Sequence, residues 1–136
     1  MELNKYQHYT ILVFDLDKNL DFSDYQHVIA NPYSDFITSA YLVQFAELVI
    51  TVDTSVVHLA TALNKKQIAI DNNRLFNNRF DNNVVWGPNS DKAVQITTND
   101  YLNTEQGDVI ANLPPDIIIE AIHHYMAAVS VNAESI

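Results

Sequence analysis

Apolar positions along this 136-residue chain come in short runs, and the segments between them carry helical spacing. Thr10–Phe14 (TILVF) is a β-branched run that stops at Asp15 and predicts a buried strand. His27–Ala30 is a second, weaker strand, ended by Asn31-Pro32. Ser34 or Asp35 can cap a helix running to about Glu47, with Phe36, Ile37, Ala40, Tyr41 and Phe45 on or near one face. Leu48–Val52 (LVITV) is the clearest strand. Asp53–Ser55 then turns into a helix from about Ser55 to Leu63, with Val56, Leu59, Ala60 and Leu63 at core spacing. Gln67–Ile70 is another short strand, Asp71–Asn83 an asparagine-rich loop, and Val94–Thr97 an edge strand. Pro114-Pro115-Asp116 opens a terminal helix, with Pro115 near the first helical position, where its missing N–H is harmless. Ile118, Ile122, Tyr125, Met126 and Val129 form the buried stripe of that helix.

Short apolar strands alternating with helices imply an α/β fold: a Rossmann-like parallel sheet with helices on both faces. The length predicts one such domain over residues 1–136. Ligands of these sheets bind at the carboxyl ends of strands. That directs attention to Asp15–Asp17, Asn31–Tyr33, Asp53–His58 and Asp71–Arg79.

Composition narrows the chemistry. Two glycines, Gly87 and Gly107, stand where average usage would give roughly ten. No GxGxxG turn, no GxxxxGK[ST] phosphate loop and no GxSxG elbow can be written. The absence of cysteine removes disulfides, thiolate metal sites and cysteine nucleophiles. A net charge of −10 argues against an extended nucleic-acid surface. No apolar run approaches the roughly 18 residues that span a bilayer, and Met1–Tyr9 lacks the pattern of a signal peptide. A cytoplasmic protein is expected.

The strongest constellation is Leu48–Leu63 (LVITVDTSVVHLATAL), a buried strand running straight into a helix through Asp53-Thr54-Ser55. A helix N-terminus presents unpaired N–H groups and positive dipole, which suit a phosphate. Thr54 and Ser55 add hydroxyls there. His58 lies one turn later, and helical side chains lean toward the N-terminus, so its imidazole can reach back. Asp53 fits as a cap, or as a group that orients His58 or a sugar hydroxyl. The competing reading is an ordinary Asp/Thr cap with a histidine on a boundary face.

Phe45–Ile70 (FAELVITVDTSVVHLATALNKKQIAI) resembles the donor-binding segment of family 9 glycosyltransferases, the lipopolysaccharide heptosyltransferases. Ala46, Leu48, Asp53, Thr54, His58, Leu59, Ala60, Ala62, Leu63 and Lys65 stand in register with that pattern. Trp86-Gly87-Pro88, Lys92 and Gln95-Ile96 extend the likeness. The resemblance implies a GT-B architecture of two Rossmann-like lobes, this chain being similar to the second, nucleotide-sugar-binding lobe. It implies ADP-heptose as donor substrate and no cofactor or metal. Asp53, Thr54, Ser55 and His58 would then hold the donor diphosphate, with Arg74 and Arg79 of the asparagine-rich loop closing over the same anion. A solvated loop is the other reading of those arginines. In the family the first lobe binds the lipopolysaccharide core acceptor and supplies the catalytic base. The resemblance therefore implies a partial lobe that does not transfer heptose alone, working at the inner face of the inner membrane. Ser55, Asn64 and Lys66 depart from the family's Gly, Gly and Pro. Asn64 is a tolerable helix terminator, because Asn visits the left-handed region more readily than other non-glycine residues.

A second constellation competes. Leu12–Leu20 (LVFDLDKNL) resembles the first motif of haloacid-dehalogenase-like phosphatases. There Asp15 would be nucleophile and Asp17 general acid/base with Mg²⁺, and Thr54, Lys65 and Asp71 the later elements. A third reading is a non-catalytic nucleotide-binding or interaction remnant. His123-His124 cannot share a metal, since neighbouring helical positions diverge. Trp86 is either a stacking platform or a packing residue.

Overall fold

The computed structural model describes residues 6–76, 80–103, 110 and 113–133, with side chains outside 72–76, 80–83, 99–103 and 127–133. The chain is α/β and divides into two compact units, Met1–Leu42 and Val43–Ile136. In the first, β1 (Ile11–Val13) and β2 (Val28–Ala30) pair in parallel as a two-stranded sheet. Helix α1 (Phe36–Gln44) follows, its Asp35 carboxylate accepting the Thr38 N–H at 2.7 Å. Of the residues the sequence sets on or near one face, Phe36, Ile37, Tyr41 and Phe45 are exposed and Ala40 is half-buried, while Val43 is the buried position.

The second unit holds a four-stranded sheet. β3 (Leu48–Val52) and β6 (Ala93–Asn103) flank β4 (Lys66–Phe76) and run parallel to it. The short β5 (Phe80–Asp81) pairs antiparallel with the far end of β4, and α3 (Asn82–Trp86) follows it. The parallel strands thus lie in two sheets rather than one. Helix α2 (Ser55–Ala62) is the crossover from β3 to β4, and α4 (Pro115–Ala133) closes the described chain.

The pleat explains how both faces of the four-stranded sheet are filled. Val49 joins Val43 and Ala60 on the α2 side. Ile68, Ile70 and Ile96 face the other way, against Ile118, Ile122 and Tyr125 of α4. The five consecutive positions Gln67–Asp71 are buried, as expected of a central parallel strand. Buried Gln67 donates from Nε2 to Thr61 Oγ1 at 2.8 Å. Among the described residues, no helix is long and apolar enough to cross a membrane.

Two expectations need correction. Asp71–Asn83 is not one loop, because β4 runs on to Phe76 and β5 and α3 begin within the same stretch. β6 likewise extends to Asn103. Pairing explains both: Asn73, Arg74 and Leu75 lie opposite Tyr101, Leu102 and Asn103, past a register shift between Asp71 and Asn73. A neighbouring strand satisfies backbone groups whatever the side-chain polarity.

Candidate functional site

The end of β3 and the start of α2 make the turn that the sequence singles out. Thr54 is extended (φ −144°, ψ 172°) and is the N-cap, a role the sequence offers first to Asp53. Its Oγ1 accepts the Val56 N–H at 3.3 Å, and its carbonyl accepts the Val57 N–H at 3.1 Å. Thr51 adds a contact that sequence reasoning misses. Its hydroxyl donates to Val52 O at 3.0 Å and lies 3.2 Å from Thr54 Oγ1. A hydroxyl has one proton, so Thr54 is the donor in the second contact. The Thr54 hydroxyl is then committed twice, as acceptor from Val56 and donor to Thr51. The only sequence signal for Thr51 is a hydroxyl three residues before the cap.

Thr54, Ser55 and His58 are all exposed at this end of α2, with Asp53 half-buried beside them. The Ser55 N–H occupies the first helical position and has no intrahelical acceptor. Val57, 1% exposed, pins the first turn to the core. The arrangement offers a backbone donor, a hydroxyl, an imidazole and the positive end of the helix dipole on one edge.

Asp71 belongs to the same carboxyl edge. Val52 pairs with Ile70, so Asp71 of β4 stands beside Asp53, where β3 ends. Gln67 and Ala69 point toward α2, and the pleat puts Asp71 on that face too. It is 4% exposed and accepts from Gln95 Nε2 at 2.8 Å. The sequence treats Asp71 as the start of a loop; it is a buried strand residue. Arg74 is on β4 opposite Leu102, but its side chain lies outside the described residues, as does Arg79 altogether.

The phosphatase constellation does not assemble in the second unit. Thr54 caps one end of α2 and Lys65 follows the other, about 12 Å away along eight helical residues. In the first unit the Asp15 carboxylate organises its own loop. Oδ2 accepts the Leu20 N–H at 2.9 Å and Oδ1 the Asp17 N–H at 3.2 Å. The Leu20 N–H above all holds the Asp15 carboxyl below its ordinary range. Asp17 is exposed. Among the described residues, no three His, Asp or Glu side chains gather as a metal site. His123 and His124 are exposed on α4, and Trp86 ends α3 half exposed at 49%.

The pattern of glycosyltransferase family 9 (heptosyltransferase) matches residues 20–110, which hold every element from β2 to β6. The chain belongs to glycosyltransferase family 9. It is also similar to an Escherichia coli (strain K12) protein named "Putative lipopolysaccharide heptosyltransferase 4", with 29% identity over 97 residues. That alignment takes in 71% of this chain and 27% of the relative, so the chain spans about a quarter of that protein's length. No solved structure matches significantly.

Proposed function

We propose that this family 9 chain binds the diphosphate of a nucleotide-sugar at the N-terminus of α2, as the donor-binding part of a glycosyltransferase of lipopolysaccharide core synthesis. The observation that carries the reading is the edge formed by Ser55 and His58 over a first turn capped by Thr54. Its chemistry suits a leaving diphosphate: oriented N–H groups and a helix dipole stabilise developing charge without a metal. Capping by Thr54 makes the turn rigid, and rigidity is what lets such donors act without reorganising. The donor contacts then come from Ser55 and His58, while Thr54 shapes the turn they stand on. In this reading half-buried Asp53 would meet sugar hydroxyls rather than the diphosphate, which it would repel.

ADP-heptose is the donor proposed, as substrate and not as resident cofactor, and the site is proposed to work on the cytoplasmic side. Amide NMR of the chain titrated with ADP and with ADP-heptose in Mg²⁺-free buffer tests this. The expected result is saturable shifts at the Thr54–His58 amides, weakened about tenfold in His58→Ala. Shifts absent from that turn at millimolar ligand overturn the reading.

A further inference from the structure

The opposite end of α2 carries a feature that donor binding leaves unused. An open pocket of about 460 Å³ lies there, where β3, β4 and β6 begin. Phe45, Glu47, Asn64, Lys65, Lys66 and Lys92 line it. The chain has only seven lysines and arginines against 17 acids, and three of the seven meet in this pocket with a single acid.

The simplest structural role for lysines after a helix is to satisfy its last carbonyls. Here the backbone already satisfies three of those carbonyls. Leu59 O, Thr61 O and Ala60 O accept the N–H groups of Leu63, Asn64 and Lys65 at 3.0, 2.9 and 2.9 Å. Asn64, at φ 55°, makes the left-handed turn that allows this. Lys92 Nζ reaches Asn64 O at 3.4 Å. Lys65 and Lys66 are half-buried, and no ion pair with either forms among the described residues. Two half-buried lysines beside exposed Lys92 outnumber the one carboxylate of Glu47, and a bound anion would offset the remaining positive charge.

The pocket is also well fixed. The Lys92 carbonyl accepts both the Gln67 N–H and the Tyr125 hydroxyl at 3.0 Å, which ties the start of β6 to β4 and α4. Lys66 is the first residue of β4. The backbones carrying two of the cations are therefore set by the sheet itself. Exposed Phe45 adds an aromatic wall beside them.

We propose that this pocket is a second anion site, taking a phosphate ester whose apolar portion lies against Phe45. Lys65, Lys66 and Lys92 supply the charge and Asn64 a side-chain amide donor. It is independent of the donor site, which lies at the other end of α2 about 12 Å away.

The test is amide NMR of the whole chain with two probes: inorganic pyrophosphate, and small vesicles containing anionic phosphatidylglycerol. The expected result is shifts or broadening at Asn64–Lys66 and Lys92–Ala93 with at least one probe. Pyrophosphate alone identifies a soluble phosphate ester as ligand, and vesicles alone a lipid headgroup. Lys66→Gln with Lys92→Gln should weaken either response about tenfold, with an unchanged amide spectrum elsewhere reporting an intact fold. Two results overturn the proposal: no response at these amides with either probe, or a response no larger than that around Lys18, which marks diffuse attraction. Shifts at Thr54–His58 report the donor reading separately, so each can fail without the other.

Discussion

Single residues carry more of the local structure here than composition suggests. Thr54 follows β3, caps α2 and fixes the turn on which Ser55 and His58 stand. Thr54→Ala should cost about 1 kcal/mol in urea unfolding, while Thr54→Ser should keep most of it. If Thr54 acts through the cap, Thr54→Ser should also leave ADP affinity nearly unchanged. Asn64 is the complementary case at the other end. Its positive φ is a conformation glycine adopts freely and Asn tolerates, as its place in the sequence foretold. Asn64→Gly should stabilise by up to about 1 kcal/mol and Asn64→Ala destabilise by a similar amount, read from urea midpoints. Lys18, at φ 51°, shares that conformation without any signal in its residue type. The Asp15 carboxylate, by accepting from Asp17 and Leu20, shapes the loop around it.

Elements are held at their ends by carboxylates as well as by hydroxyls. Asp15 and Asp21 close the loop after β1, and Asp35 caps α1. Backbone N–H groups of Leu20, Ser23 and Thr38 are the main cause holding these three carboxyls below their ordinary range. A native value below the unfolded one means that the unfolded chain binds more protons in acid. The stabilisation is therefore complete above the unfolded value near 4, and is lost as pH falls from there through the lowered native values. The urea midpoint should hold steady down to about pH 5 and then sink. Asp35→Asn keeps a competent cap but removes its titration, so its midpoint should fall less steeply between pH 5 and pH 3.

At the scale of the whole molecule, burial concentrates on β4. Gln67, Ile68 and Ala69 are fully buried, with α2 against one face of the sheet and α4 against the other. Ile68→Ala should cost about 2–5 kcal/mol, since the cavity lies between sheet and α4. Hydrogen exchange should then quicken in β3, β4 and β6 together, and α4 should lose protection with them. The fold separates two surfaces in the second unit: the carboxyl edge with Ser55, His58 and Asp53, and the amino edge with Lys65, Lys66 and Lys92. An acidic chain thereby keeps a concentrated cationic patch.

The sequence by itself determined the elements whose signals are local. β3 spans Leu48–Val52 as its apolar run predicts, α2 starts after the Asp-Thr pair, and α4 begins at Pro115. Periodicity, caps and proline act within a few residues, so they can be read without neighbours. The motif from Asp53 to His58 was legible for the same reason. Only the tertiary structure decided the rest. β4 and β6 continue through polar residues because each is the other's hydrogen-bond partner, which no local pattern reveals. Asp71 is buried because β4 is flanked on both sides. Thr51 joins the cap, and Lys92 meets Lys65 and Lys66, only because the chain brings the starts and ends of β3, β4 and β6 into line. Long-range pairing fixes those neighbours, and its register is a property of the folded sheet rather than of any segment.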